Sequence, residues 1–467
     1  MKKRNVITII IAIICCVLAV VIHEINLSQL EKQSEYQTGL ISTADEASYL
    51  RPPQNWLEGK GWKDSSTGHS SYVQRPLGYG LVFLLCKSIS PNNAFLLLKG
   101  IHILAFLFSL IVLSKLLFEL TKNRKFALIG MLIFGLLPCF NGFMYYTLTE
   151  SLSPFVLLLL THEFILIIRH QRRPFLFGLT IAFLLLLRPQ LIIFPLFFVA
   201  FLLFKSRKFW WVYLISILPF LMWQVRNYNI TGSVSLHPIY SSTNKSIYRP
   251  PHEALSNLFR IWEYKSDKFH ETVGVLIQDT STTNLNKALN NIPEHLTEKV
   301  RPALKDFQNV AYHQKKMFNN ENEIKELPIE REFVSNTNTL REEIISSNKL
   351  QYYVKTPVNS TIELLTKSHL NLFVFQKVWR GNVFMETLRY LCLIVINLSL
   401  VSLLLLLFFT NTPNYLKLVA LGVLCTFVYY VFFQRMNEER YMTPLLPIMY
   451  IGLITLIAKT FKRDKKT

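Results

Sequence analysis

Two adjacent acids and one arginine form the first stretch of this sequence that could carry out chemistry. Asp45 and Glu46 follow a hydrophobic run, and Arg75 stands before Pro76 at the start of another apolar stretch. Desolvation raises the basicity of a carboxylate near a low-dielectric boundary, which suits a general base. A guanidinium group at such a boundary binds a phosphate or snorkels toward lipid headgroups. The stretch therefore indicates transfer chemistry at a membrane surface, although Thr43 and Glu46 also fit a helix-capping box.

The composition places the chain among membrane proteins. It has 467 residues, of which 51% are hydrophobic and 17% charged, and its mean hydropathy is +0.29. A net charge of +20 would suit a nucleic-acid-binding protein if the basic residues formed one soluble face, but most of them fall between apolar runs. We therefore predict a mainly α, polytopic membrane protein whose surroundings are a lipid bilayer, with no nucleic-acid partner.

Apolar runs of roughly the length that crosses a bilayer recur along the chain. A span needs about 20 apolar residues, and we count about ten candidates. They are 6–22, 93–118, 127–146, 152–168, 174–187, 189–204, 209–225, 386–409, 416–433 and 441–458. The shorter apolar stretch 76–90 predicts an interfacial or half-buried helix.

The basic clusters predict the orientation of these spans. Short cytoplasmic loops carry the excess of lysine and arginine, and an N-terminus inside the cell puts every basic cluster in the cytoplasm. These clusters are 2–4, 122–125, 169–173, 205–208 and 459–466. We thus expect a multi-pass protein of the cell inner or plasma membrane with both termini cytoplasmic. The N-terminal apolar run lacks a small-residue cleavage site, so we expect an uncleaved anchor.

This topology divides the chain into three parts. Residues 1–225 would form an N-terminal transmembrane module with the outer loop 23–75, residues 226–384 an outer-face segment, and residues 385–467 a C-terminal transmembrane module. Arg188, Arg226 and Arg440 then lie at outer ends of spans, where topology does not call for arginines. Glu150 lies at the outer-face start of a span. Burying an acid at this depth costs free energy, so Glu150 either belongs to a functional site or complements the dipole of the helix.

Several functional classes lack support in the sequence. There is no zinc-type Cys/His spacing, P-loop or dinucleotide glycine fingerprint. All six cysteines lie in apolar stretches, so we expect no structural disulfide. The sequence indicates no required cofactor, and a divalent metal held by Asp45, Glu46 and Glu150 stays open.

Short motifs occur in a characteristic order along the chain. They are Asp45-Glu46-x-x-Tyr49, Leu57-x-Gly59-x-Gly61-Trp62, Arg75-Pro76-x-Gly78-Tyr79, Thr149-Glu150, Leu187-Arg188-Pro189, Trp223-x-x-Arg226-Asn227-Tyr228 with Gly232, and Glu439-Arg440-Tyr441-x-x-Pro444-x-x-Pro447. In this order they resemble the bacterial branch of the dolichyl-phosphate-mannose protein mannosyltransferase family (glycosyltransferase family 39 type), within the GT-C superfamily of membrane glycosyltransferases. The loop 233–384 matches only loosely. Pro219 also stands apart from Trp223, where the family usually has a Pro-Trp pair.

The resemblance implies a GT-C-type helical bundle with a catalytic first outer loop. Such enzymes move a sugar from a polyprenyl-phosphate donor to a glycan, lipid or protein acceptor on the outer face, with inversion at the anomeric carbon. The implied site residues are the general base Asp45, with Glu46 as the alternative, the phosphate-binding arginines Arg75, Arg226, Arg188 and Arg440, and the further candidates Tyr49, Tyr79 and Glu150.

Two other functions fit a chain with many spans. A transporter or flippase of lipid-linked sugars would also need arginines in the membrane, but transporters tend to show internal repeats and charges in mid-span, and neither is evident. A polysaccharide polymerase or ligase would share the large outer segment and would add many sugars instead of one. The sequence leaves the sugar and the acceptor open.

Overall fold

The computed structural model describes residues 3–28, 39–43, 45–66, 69–71, 75–205, 207–231, 239–241, 246–248, 250–320, 327–366, 381–436 and 439–463. Gly232 of the motif series and the terminal lysines Lys2, Lys465 and Lys466 lie outside them. The helices are α1 Lys3–Ser28, α2 Glu46–Leu57, α3 Leu77–Ile89, α4 Ala94–Thr121, α5 Arg124–Leu136, α6 Pro138–Asn141, α7 Ser153–His170, α8 Phe175–Leu187, α9 Ile193–Lys205, α10 Trp210–Thr231, α11 Pro250–Phe259, α12 Ser266–Leu276, α13 Thr282–Leu289, α14 Thr297–Asn320, α15 Pro328–Ser347, α16 Thr356–Thr366, α17 Val383–Phe408, α18 Asn414–Val428 and α19 Leu446–Arg463.

Six helical segments among the described residues are long and apolar enough to cross a membrane. They are Val6–Ile25, Pro91–Thr121, Ser153–His170, Val383–Phe408, Asn414–Gln434 and Arg440–Phe461, and the shorter apolar helices are Leu77–Ile89, Phe175–Leu187 and Pro189–Lys205. The prediction of a mainly α membrane protein is confirmed at this level. The predicted span 127–146 is divided, because Leu137 is extended before Pro138 and ends α5.

The described helices bury two separate hydrophobic cores. One core joins α1–α10 with α16–α19 and is called the membrane core here. The other lies within the polar segment, where α11–α15 and the turn Gln351–Lys355 form a unit that we call the helical lobe. Helix α10 continues to Thr231 and so crosses the predicted module boundary after residue 225.

A small antiparallel sheet connects two distant parts of the chain. Its strands are β1 Asp64–Ser66, β2 His69–Ser71, β3 Ile239–Ser241 and β4 Ser246–Tyr248, in the order β1-β2-β3-β4. Ser71 pairs with Tyr240 across the central ladder. Backbone pairing therefore holds the loop after α2 against the segment that follows α10.

The predicted capping box at the start of α2 is wrong. Helix α2 begins at Glu46, and its N-cap residue, Asp45, makes no side-chain capping hydrogen bond. The Glu46 carboxylate instead accepts a hydrogen bond from the Thr147 hydroxyl, and the buried Thr43 hydroxyl has no hydrogen-bond partner in the described part of the chain. The hydrogen bond between Thr147 and Glu46, which are far apart in sequence, takes the place of the predicted local capping bond.

Gly78 lets α3 approach the end of α8. A Cβ atom at this position would lie 2.7 Å from the carbonyl carbon of Leu186 and 2.7 Å from the nitrogen of Leu187. Since these are backbone atoms, Gly78→Ala must displace one helix from the other. We expect it to lower the free energy of unfolding by about 1–3 kcal/mol, as overpacking does, measured by thermal unfolding in detergent.

Gly100→Ala in α4 is the matched control, because no atom lies within 4 Å of a Cβ placed there. It should leave stability unchanged or slightly higher, since alanine favours the helix. An unfolding temperature of Gly78→Ala equal to that of wild type would contradict the close approach.

Candidate functional site

Asp45 lies between two arginines that come from distant parts of the chain. One carboxylate oxygen contacts the Arg75 guanidinium, and the other accepts a hydrogen bond from Nη2 of Arg440 at 2.6 Å. Arg75 also donates from Nε to Oγ of Ser48 at 3.0 Å. Both oxygens of the predicted general base are thus bound by guanidinium groups.

A second acid extends this arrangement into the buried interior. Nη1 of Arg188 lies 2.9 Å from Oε1 of Glu150, and these side chains are only 5% and 3% exposed. Nε of Arg440 lies 3.9 Å from the same Glu150 oxygen. Asp45, Arg75, Arg440, Glu150 and Arg188 therefore form one continuous group, which we call the acid–arginine cluster.

Two Arg-Pro dipeptides help to position this cluster. The residue before a proline is restricted to extended conformations, and Arg188 has φ −149° and ψ 87° between α8 and Pro189. Arg75 likewise precedes Pro76, the N-cap residue of α3. Each arginine is therefore held at a helix boundary, and the approach of α3 to α8 at Gly78 brings the two boundaries together.

Aromatic rings support the cluster. The Arg75 guanidinium lies over the Tyr49 ring at 5.0 Å, and the Tyr49 ring contacts the Tyr79 ring edge-on at 5.4 Å. The Arg188 guanidinium lies 5.7 Å from the centre of the Tyr441 ring. Tyr49 thus belongs to the site itself, whereas Tyr79 lies behind it.

Behind Tyr79 lies a buried polar network. The Tyr79 hydroxyl is 3.3 Å from Nε2 of His102, the Ser151 hydroxyl is 3.1 Å from the same nitrogen, and Nδ1 of His102 is 3.1 Å from the Met144 carbonyl oxygen. This network ties α3 and α4 to the segment that carries Glu150. Sequence reasoning missed His102, although a histidine inside an apolar helix is itself a signal.

The charges around Asp45 determine its proton affinity. Burial raises the pKa of Asp45, but the positive charges of Arg75 and Arg440 outweigh burial, so that its pKa lies below the usual range. The acid–arginine cluster contains three guanidinium groups and two carboxylates. One positive charge is therefore in excess, which favours an anionic ligand.

A cavity of about 420 Å³ opens beside Arg75. Most of its lining is apolar, and the polar groups are few. The lining residues are Arg75, Pro76, Pro189, Gln190, Ile192, Ile193, Phe220, Trp223, Asn227 and Tyr429. At 30% exposure the Arg75 side chain is much more accessible than that of Arg188. An anionic group in this cavity would therefore meet Arg75 first.

Arg226 lies outside the acid–arginine cluster. Its Nη2 donates to the Trp62 carbonyl at 2.6 Å, its Nη1 donates to Oδ1 of Asn227 at 2.9 Å, and its guanidinium lies 4.6 Å from the centre of the Trp223 ring. These contacts hold the loop after α2 against α10. The predicted phosphate-binding role of Arg226 stays a prediction, and the contacts themselves indicate a positioning role.

Glu46 accepts a hydrogen bond from the Thr147 hydroxyl, whereas Asp45, the other acid of the adjacent pair, contacts Arg75 and Arg440. Among the described residues there is no group of three or more acid, histidine or cysteine side chains placed to hold a metal ion.

No protein-family model matches this chain, and no curated protein matches it.

Proposed function

We propose that this chain is an integral membrane glycosyltransferase that moves a sugar from a polyprenyl-phosphate donor to a glycan, lipid or protein acceptor on the outer face of the membrane. The observation that carries the proposal is the acid–arginine cluster at the edge of a largely apolar cavity. We propose in addition that the chain forms a GT-C-type bundle of about ten spans. Both termini would be cytoplasmic, and the site would lie on the outer face of the membrane.

The cavity suits the two chemically different parts of such a donor. Its phosphate would bind the Arg75 guanidinium, which can form two parallel hydrogen bonds to phosphate oxygens. The first isoprenoid units would lie along Ile192, Ile193 and Phe220, which line the cavity. Apolar surface buried there contributes roughly 25 cal/mol per Å².

Donor binding would also release the general base. In the structure described here, Arg75 and Arg440 bind both oxygens of Asp45 and lower its pKa. A phosphate that competes for Arg75 would remove one of these partners, so the pKa of Asp45 would rise and the carboxylate would become free to accept a proton. The base would thus become competent only when the donor is present.

The proposed transfer step uses these groups. Asp45 accepts the proton of the acceptor hydroxyl while the acceptor oxygen forms a bond to the anomeric carbon. The bond between this carbon and the phosphate oxygen breaks, and the electron pair leaves with the polyprenyl phosphate. Arg75, with Arg440 and Arg188 behind it, stabilises the charge that develops on the phosphate.

The test is a transfer assay with the full chain in proteoliposomes. Polyprenyl-phosphate sugars and acceptors are supplied as an extract of the source membranes, and mass spectrometry measures new glycosidic bonds. One sugar added per acceptor supports the proposal. Movement of donor between leaflets without a new bond would instead support a flippase, and long products would support a polymerase.

The pH dependence of transfer should reveal the arginines around Asp45. The base acts when deprotonated, and kcat/KM reports the free enzyme, so kcat/KM falls as pH drops through the pKa of Asp45, which in the donor-free protein lies below the ordinary value of about 3.9. Arg440→Gln removes one lowering charge and should move this acidic limb to higher pH by about one unit. The control is Arg389→Gln, which removes a guanidinium paired with Glu386 and should leave the acidic limb of the pH profile unchanged. Identical pH profiles for wild type and Arg440→Gln would argue against Asp45 as the base.

A further inference from the structure

A second group of arginines lies where the helical lobe meets the membrane core. Arg435 follows the helical turn Tyr429–Gln434 and is 3% exposed. It donates to the carbonyl oxygens of Arg260 and Tyr352 at 2.7 and 2.8 Å. The guanidinium also lies 3.8 Å from the centre of the Tyr352 ring. Arg435 therefore fastens two parts of the lobe to the end of α18.

The guanidinium group of Arg341 contacts the same tyrosine, and that of Arg260 lies within electrostatic range of Tyr352 and Arg435. Nη2 of Arg341 donates to the Tyr352 hydroxyl at 3.2 Å. Arg260, whose carbonyl Arg435 binds, directs its Nη1 to Oδ1 of Asn257 at 2.8 Å. The Nε atoms of Arg260 and Arg341 are buried without a hydrogen-bond partner among the described residues. We call Arg260, Arg341 and Arg435 the lobe arginine triad.

The charge of the triad is poorly compensated. Within the described part of the chain, none of its members forms an ion pair with a carboxylate, although Glu253 acts on Arg260 at longer range. Burial lowers the pKa of Arg435, and the neighbouring charges of Arg341 and Arg260 lower it further. Concentrated buried charge is costly unless an anion accompanies it.

The triad adjoins the proposed catalytic site. Tyr429, in the turn that leads to Arg435, lines the cavity beside Arg75. The next residue, Tyr430, stacks on Tyr441 at 6.0 Å, and Tyr441 lies under the Arg188 guanidinium. Tyrosines thus separate the triad from the acid–arginine cluster. Arg260 and Arg341 belong to the lobe, and Arg435 belongs to the end of α18 that the lobe contacts.

We propose that the lobe arginine triad is a second anion-binding site, which receives a phosphate group carried by the acceptor. The proposal rests on the proposed glycosyl transfer, because the acceptor is defined by that reaction. Arg260 and Arg341 supply the guanidinium groups that bind the phosphate, and Arg435 holds the lobe in place around them. The same phosphate chemistry occurs in a lipid headgroup and in a soluble or polymeric phosphoester.

Binding of sn-glycerol 1-phosphate to the full chain in nanodiscs of zwitterionic lipid tests the site. The shift of the thermal unfolding temperature is followed as the probe is added, and each variant is compared with its own probe-free state. We expect saturable stabilisation of the wild type, and dissociation constants at least about tenfold weaker in Arg260→Gln and Arg341→Gln, as for loss of a charge-assisted hydrogen bond. The matched control is Arg301→Gln, because Arg301 lies on the same lobe, is 40% exposed and pairs with Glu298; it should bind like the wild type.

Arg75→Gln distinguishes probe binding at the triad from probe binding at the donor site, because the probe can also bind Arg75. If Arg75→Gln loses all binding while Arg260→Gln and Arg341→Gln lose none, the triad proposal is overturned and the donor site stands. If the triad variants lose binding but no glycosyl transfer is found, the anion site stands and the proposed function falls.

Two further measurements identify the kind of molecule that carries the phosphate and its role in the reaction. Nanodiscs that contain phosphatidylglycerol would suppress probe binding if the triad takes a lipid headgroup and would leave it unchanged if it takes a soluble phosphoester. In the transfer assay, Arg260→Gln should raise the KM for the acceptor and leave the KM for the donor unchanged. An increase in the donor KM alone would overturn the assignment to the acceptor.

Discussion

Asp45→Asn should abolish most of the glycosyl transfer while the protein remains folded. The substitution keeps the size of the side chain but removes the proton acceptor, and general-base catalysis contributes about 10²- to 10⁴-fold to a rate. The amide oxygen still accepts one hydrogen bond from Arg75 or Arg440, so the local arrangement should survive. The expected result is a fall of this size in kcat in proteoliposomes with donor supplied, and a thermal unfolding profile that remains cooperative.

Asp64→Asn is the matched control for this experiment. Asp64 follows the same helix α2, and its carboxylate lies 3.7 Å from Nη1 of Arg51 and away from the acid–arginine cluster. Asp45 precedes α2 and Asp64 follows it, so the control makes the same chemical change beyond the other end of this helix and should retain transfer within a few-fold. Full activity of Asp45→Asn would remove Asp45 from the mechanism, and equal loss in both variants would indicate a structural effect on the region around α2.

The candidate residues of this site could be predicted one by one from the sequence, but their pairing could not. Asp45, Arg75, Glu150, Arg188 and Arg440 were each predicted as site candidates, and the structure places all five in one group. Which acid meets which arginine depends on how α2, α3, α8 and the turn before α19 pack. The approach at Gly78, for example, depends on a backbone contact that spacing does not reveal.

Local patterns failed where tertiary contacts compete with them. The box pattern of Thr43 and Glu46 is an ordinary capping signal, yet Thr147 binds the Glu46 carboxylate instead. The three-residue strands of the sheet are too short to show an alternating pattern. Long apolar helices were predictable because about 20 apolar residues are a strong and local signal, whereas the lobe arginine triad comes from three separated segments and leaves no motif.

Glu150→Gln should cause the largest loss of stability of any single change in the cluster. Glu150 and Arg188 form a buried ion pair at 2.9 Å, and removing one partner of such a pair typically costs about 3–5 kcal/mol, because the other charge is left buried and alone. The measurement is the free energy of unfolding in detergent, or the thermal unfolding temperature where unfolding is irreversible.

The effect should be asymmetric between the two partners. The cluster has three positive and two negative groups, so Glu150→Gln leaves three against one, whereas Arg188→Gln leaves two against two. In addition, Nε of Arg440 remains 3.9 Å from Glu150 when Arg188 is lost. We therefore expect Arg188→Gln to cost less than Glu150→Gln, and the double variant to be more stable than the sum of the two losses predicts.

Glu119→Gln provides the reference for a partly exposed acid with several basic neighbours. Glu119 lies 2.9 Å from Nζ of Lys122, 3.3 Å from Nη1 of Arg169 and 3.6 Å from Nε2 of His170, but Glu119 is 20% exposed and these partners are 27–54% exposed, so that water screens the interactions. Its loss should cost only about 0–1 kcal/mol. If Glu150→Gln were no more destabilising than Glu119→Gln, or if Arg188→Gln were the more harmful change, the excess positive charge inferred for the cluster would be wrong. The basis for an anionic donor beside Arg75 would then be lost as well.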